Sequence, residues 1–144
     1  GLFSPERRDG DGRTGFDLVD IASGDRVTMA STSFERGPSV GKYRVDVEAV
    51  DAIVERALVP SIEGAAVFLV DEIAPMECHS DRFVRAIRRL LDDDRPTVAT
   101  IHRRSTGGFI GEVKRRPDTH TIEVTEANRD DLPLTLLEDL LAQT

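Results

Sequence analysis

Two adjacent acids, Asp71 and Glu72, directly follow the apolar run Ala65 to Val70. A continuous apolar run of this length, with Gly64 before it and acids after it, predicts a strand buried on both faces of a helix-covered parallel sheet. Ligands of open parallel sheets bind beyond the carboxyl ends of the strands, so the acid pair stands where chemistry takes place. In phosphoryl transfer to water, one acid at a strand end holds hydrated Mg²⁺ while a neighbouring carboxylate orients or deprotonates the attacking water. Asp71 takes the first role in this reading and Glu72 the second. A buried strand that simply exits into an acidic loop gives the same dipeptide, so the pair alone does not decide between them.

Three other constellations compete. Gly37-Pro38-Ser39-Val40-Gly41 matches the G-x-S-x-G nucleophile elbow, and Asp71 followed by His79, His102 or His120 keeps the order serine, acid, histidine. That motif needs a buried strand running into a sharp turn, and the polar residues Ser31 to Arg36 do not supply one. The same stretch fails as a phosphate loop, because only three residues separate its glycines and Tyr43 stands where a hydroxyl for Mg²⁺ is required. Glu77-Cys78-His79 with Asp81 has metal-ligand residue types, but adjacent residues cannot close one tetrahedral site, and a loop leading into a helix fits better. Arg103, Arg104, Arg115 and Arg116 offer phosphate clamps or an arginine finger, against the commoner reading of surface cations.

The elements that must position these residues follow from turn chemistry and periodicity. Asp9-Gly10-Asp11-Gly12 and Ser23-Gly24-Asp25 predict turns between short antiparallel strands, with Phe16, Leu18 and Ile21 on one strand and Val27 and Met29 on the next. Asp46 predicts a helix cap, with Val47, Val50, Ile53, Val54, Ala57 and Leu58 at helical spacing up to Pro60. Ser80 caps a second helix with Phe83, Val84, Ile87, Leu90 and Leu91 inward and Arg82, Arg85, Arg88 and Arg89 outward. Thr97 to Ile101 reads as a buried strand, Phe109 to Arg116 as a short helix and Thr121 to Thr125 as a third strand. A last helix follows Asp130 or Asp131, striped by Leu136, Leu137, Leu140 and Leu141. From Asp46 onward, the alternation of helix and strand predicts a parallel α/β sheet.

Composition sets the outer bounds. The 144 residues carry 27 Asp+Glu against 19 Lys+Arg, a net charge of −8. That length favours one domain spanning residues 1–144, with a core large enough to fold without disulfides or a structural metal. A single cysteine, Cys78, excludes an internal disulfide framework. The longest apolar run is too short to span a bilayer and no basic-then-apolar leader opens the sequence, so the expected compartment is the cytoplasm, with no membrane partner. Overall acidity argues against nucleic acid as a partner. Arg82 to Arg116, however, holds ten Arg or Lys with only Asp92, Asp93, Asp94 and Glu112 as acids, which suits either a small anionic ligand or solvated helix faces.

Five ordered segments carry a family resemblance. Val67 to Glu77, Val-Phe-Leu-Val-Asp-Glu-Ile-Ala-Pro-Met-Glu, resembles the Walker B segment of the cancer-related nucleoside-triphosphatase family of small P-loop NTPases. Ser4-Pro5-Glu6-Arg7-Arg8 with Arg13 to Asp17 resembles the stretch after that family's first helix, and Val40 to Val45 its V-G-x-Y-x-V segment. Val98-Ala99-Thr100-Ile101 resembles its next core strand and Thr125 to Asp130 its T-x-x-N-R-D ending. The resemblance implies an α/β RecA-like three-layer fold with an N-terminal β-hairpin region. It implies Mg²⁺-dependent hydrolysis of ATP, GTP and other triphosphates to diphosphate and phosphate, with little base selectivity. It places Phe68, Leu69, Val70, Asp71, Glu72, Ile73, Ala74 and Arg104 at the nucleotide, with Asp71 at the metal and Glu72 catalytic. Ser39 falls in a family loop with no nucleophile role.

The family begins with a strand and a G-x-x-G-x-G-K-T loop, and Gly1-Leu2-Phe3 aligns after both. The expectation is therefore an N-terminally truncated domain, inactive without its phosphate cradle, with apolar surface or a gap where the first strand belongs. A non-catalytic interaction or regulatory module that retained the fold is the alternative, and a Ser39 hydrolase a third. These residues set neither the preferred triphosphate nor the oligomeric state.

Overall fold

Turn residues and alternation build the first half of the chain as expected. In the computed structural model, which describes residues 1–59 and 64–143, β1 is Leu2–Phe3, β2 Glu6–Asp9, β3 Gly12–Asp20 and β4 Arg26–Ser31. β2 and β4 both pair antiparallel with β3. The β3–β4 turn closes on Asp20, whose carboxylate accepts from the Ala22 amide and the Ser23 hydroxyl, while Gly24 at φ +78° supplies the left-handed residue. β5 (Ser39–Val40) and β6 (Tyr43–Val45) form a further small hairpin.

Asp17 ties this antiparallel region together. Its carboxylate is 1% exposed and accepts from Arg7, at 3.0 Å to each oxygen, and from the Arg26 Nε. Burial pushes the Asp17 carboxyl up, and the hydrogen bonds from Arg26, Arg7 and Thr28 outweigh it, so it sits below its ordinary value. A depressed carboxylate contributes stability above the unfolded-state value that is lost as pH falls through the folded one. Asp17→Ala is therefore expected to cost about 1–3 kcal/mol at neutral pH, discounted because both arginines are half exposed. Urea unfolding at neutral and acid pH checks this, since the difference from the parent should shrink in acid. A difference that stays constant would assign it to packing alone.

The second half begins with α1 (Val47–Ala57), whose N-cap Asp46 accepts from the Ala49 amide and whose Val50, Ile53, Val54 and Ala57 are buried. It ends before Pro60, which lies outside the described residues. β7 (Phe68–Ile73) leads to α2 (Pro75–Cys78) and α3 (Asp81–Leu91). The Ser80 hydroxyl accepts from the Phe83 amide and donates to Asp51, so the cap of α3 also fixes it to α1. Phe83, Ala86, Ile87 and Leu90 face the core while Arg82, Arg85, Arg88 and Arg89 are exposed. β8 (Thr97–Ile101), α4 (Gly108–Arg115) and α5 (Leu132–Ala142) complete the order.

One sheet runs β5-β6-β4-β3-β1-β7-β8, with β2 beside β3. The two strands after Asp46, β7 and β8, pair parallel as expected, and β7 is also parallel to β1; the antiparallel pairs all lie among β1 to β6 and make the sheet as a whole mixed. The core joins Leu2, Leu18, Met29, Phe68, Val70 and Ile73 of the sheet to buried residues of α1, α3 and α4. Each fully buried large aliphatic or aromatic side chain contributes about 1.5–3 kcal/mol.

Three expectations fail at the β8 side. β7 is covered on one face only: Phe68 and Val70 are buried, but Leu69 between them is 42% exposed. β8 ends the sheet order and is only half-buried. Residues 121–125 form no strand, and Val124 is 61% exposed. No residue of α5 is buried, and its Leu137 and Leu141 lie open to solvent with Leu134. Extended backbone becomes a strand only when a neighbour takes its hydrogen bonds, and an amphipathic stripe is covered only when a partner face lies opposite. Among the described residues neither condition is met there.

Candidate active site

The acid pair lies within β7 rather than after it. The parallel β7–β8 ladder pairs Val70 with Ala99, skips, and resumes at Ile73 and Ile101, so Asp71 and Glu72 occupy an irregular step at the carboxyl edge. The peptide between them is cis. Irregular steps re-aim side chains that a regular pleat would send to alternate faces. The Thr100 hydroxyl donates to Asp71 Oδ1 at 2.6 Å, which holds one carboxylate oxygen and leaves the exposed carboxylate oriented at the edge.

Glu72 is half-buried. Burial first, then the adjacent Asp71 charge, raise its carboxyl above the ordinary value, while His102 works in the opposite direction. A carboxylate raised in this way is a stronger base than one in water. The His102 amide donates to the Ile73 carbonyl at 3.0 Å, and its ring Nδ1 is hydrogen-bonded to the Ser105 hydroxyl at 2.7 Å. Lys114 on α4 fastens the loop that follows: its Nζ donates to the carbonyls of His102, Arg103 and Ser105 at 2.7, 3.0 and 2.7 Å.

Behind the pair, Ser4 follows β1, whose Phe3 is in register with Asp71. The Ser4 hydroxyl lies 2.7 Å from the Asp71 carbonyl oxygen and 3.1 Å from Glu77 Oε1. Glu77 is buried, and desolvation pushes its carboxyl up to about 8, with Glu72 and Asp71 adding to the shift.

The segment Phe68 to Ala74 thus divides by contact. Phe68, Val70, Ile73 and Ala74 are core, Asp71 and Leu69 face solvent, and Glu72 lies between. Arg104 is exposed on the loop after His102 and makes no hydrogen bond or ion pair among the described residues. The other candidate arginines are engaged: Arg103 with Glu123, Arg115 with the Thr106 carbonyl, and Arg116 with Asp92 and Asp118. Arg82, Arg88 and Arg95 likewise pair with Glu55, Glu112 and Asp93, so much of the basic middle segment is surface ion pairing.

The remaining constellations dissolve. Ser39 is exposed in the β5–β6 hairpin, not on a strand-to-helix turn, and Gly37 packs so closely that a Cβ there would meet the Val45 carbonyl oxygen at 2.1 Å. That backbone cannot present a nucleophile elbow. Among the described residues no three His, Cys, Asp or Glu side chains are placed to hold a metal by themselves, and Cys78 is a half-buried thiol that desolvation pushes up to about 12. Sequence reasoning passed over Ser4, Thr100 and Lys114. The only signal for Thr100 was a polar residue in a run otherwise apolar.

A mixed sheet with helices packed on it, carrying two adjacent acids at the carboxyl edge of neighbouring parallel strands, is the α/β arrangement of the RecA-like fold that the sequence resemblance implies. The chain belongs to the NTPase family, whose model matches residues 1–137. It is 38% identical to the nucleoside-triphosphatase THEP1 of Thermofilum pendens, over 97% of this chain and 78% of that protein. The THEP1 of Methanopyrus kandleri is 37% identical over 98% of this chain and 78% of that protein. The crystal structure of THEP1 from Aquifex aeolicus superposes with a TM-score of 0.87 at 29% identity, covering 97% of this chain and 82% of that one. Among the described residues no helix is long and apolar enough to cross a membrane.

Proposed function

We propose that this protein hydrolyses nucleoside triphosphates, ATP and GTP among them, to diphosphate and phosphate with Mg²⁺ as cofactor. The observation that carries the reading is the pairing of an Asp71 carboxylate fixed by Thr100 with the raised Glu72 carboxyl one residue on. Membership of a family whose curated relatives are named nucleoside-triphosphatases supports it.

The donor set fits Mg²⁺. This ion takes hard oxygen ligands, keeps several waters and is usually held by one or two carboxylates plus the substrate phosphates, so a lone exposed aspartate beside a threonine hydroxyl suffices where a closed protein cage is absent. Bound Mg²⁺ neutralises charge on the phosphate oxygens. Asp71 would hold that ion through the oxygen that Thr100 leaves free. Glu72 accepts the proton of a water as the water oxygen bonds to the γ-phosphorus and the bridge to the β-phosphate breaks, leaving the electron pair on the diphosphate. Arg104, exposed and without a hydrogen bond or ion pair among the described residues, would be available to pair with the phosphates, and the half-buried setting of Glu72 limits competing solvent.

Phosphate release from ATP and GTP, with and without Mg²⁺, tests the reading on this chain and on the chain extended upstream in its gene. Release that requires Mg²⁺ in either form supports it. No release from two folded forms overturns it in favour of a non-catalytic module.

A further inference from the structure

Glu77 is a buried carboxyl that this chemistry does not use. It is 2% exposed, its Oε2 has no hydrogen-bond partner among the described residues, and its Oε1 lies 3.1 Å from the Ser4 hydroxyl. Ser4 has one hydroxyl hydrogen to give and two oxygens within reach. The Asp71 carbonyl at 2.7 Å can only accept, so that hydrogen goes there. The contact to Glu77 is then completed by a hydrogen on the carboxyl itself.

We propose that Glu77 is a positioning residue: as a neutral acid it donates to Ser4 Oγ, which donates to the Asp71 carbonyl, locking the irregular step of β7 that carries Asp71 and Glu72. The relay spans three elements, since Glu77 is on α2, Ser4 trails β1, and Asp71 is on β7. Its direct partner is the serine hydroxyl, not the Asp71 carboxylate. Burial is the largest effect and favours the neutral form; the Glu77 backbone amide and the Ser4 contact work the other way, and the nearby Glu72 and Asp71 charges add to burial. An apolar side chain of the same volume would spare the desolvation of a lone carboxyl and suit the core better, so the carboxyl costs stability where it stands. Retaining a donor at this point is accounted for by the backbone it holds. The inference rests on the proposed roles of Asp71 and Glu72.

The test is steady-state ATP hydrolysis by the full-length protein and by its Glu77→Gln, Glu77→Met and Ser4→Ala variants. Gln keeps a donor and is expected to hold kcat within about twofold, whereas Met keeps the volume without the donor and should lose about tenfold in kcat at little-changed KM, by misplacing the acid pair. The Met variant should also melt no lower than the parent, which a merely structural role would not combine with lost turnover. Ser4→Ala, at a partly exposed site, carries the same expectation should Met disturb folding. Wild-type kcat in the Met and Ala variants, or equal losses in Gln and Met, overturns the relay. The ¹³C signal of the Glu77 carboxyl, identified by its disappearance in Glu77→Gln, should be that of a neutral acid near neutral pH; an ionised signal also overturns it. A parent protein that hydrolyses nothing would instead sink the reading of Asp71 and Glu72, a distinct result.

Discussion

Glu72→Gln is expected to lower triphosphate turnover by about 10²–10⁴-fold while nucleotide binding is retained. The amide preserves size and the half-buried position but cannot take a proton from water. Because the Glu72 carboxyl is raised by burial and by Asp71, the substitution removes an uncompensated charge rather than a structural ion pair, and folding should be unharmed or improved. Asp71 and its bond from Thr100 remain, so Mg²⁺ and nucleotide should still bind. Single-turnover phosphate release with a parallel nucleotide titration separates the two effects. Unchanged turnover would remove Glu72 from the base role, and joint loss of binding would make it a ligand instead.

Phe83→Ala is expected to cost about 3–5 kcal/mol of folding stability, read as a lowered urea midpoint. Phe83 is 1% exposed and belongs to the cluster that joins α3 to Phe68, Val70 and α1. Its amide is also the donor to the Ser80 cap, so backbone and side chain lie at the same junction. The cavity left by the ring sits among residues held by the sheet and cannot collapse fully. Because β7 rests on this cluster, hydrolysis should decline only as the folded fraction declines. A cost below about 1 kcal/mol would mean that the helices repack freely over the sheet, and the site would then lack a rigid base.

The two variants probe different layers. Glu72 acts at the carboxyl edge, where exposure and charge decide reactivity; Phe83 acts underneath, where packing decides whether that edge has a shape. Asp17 is a third, independent point, holding β2, β3 and β4 through two half-exposed arginines.

Local chemistry was enough to read the turns, the caps Asp46 and Ser80, the buried stripes of α1 and α3, and the acid pair after an apolar run. Each depends on neighbours within a few residues, whose preferences the sequence states directly. Five ordered motifs carried the family and its fold as well. The paired state of a strand, the cover over a stripe and the partners of a carboxyl depend instead on residues distant along the chain. Thr121 to Thr125 and the leucines of α5 have strand-like and helical patterns, yet residues 121–125 form no strand and Leu134, Leu137 and Leu141 stay exposed. Ser4, Thr100 and Glu77 came together with Asp71 only because β1, β8 and α2 converge on β7. Residue types fixed which groups could act; the pairing of strands distant in sequence decided which of them meet, because hydrogen bonds and burial are set by distance in space.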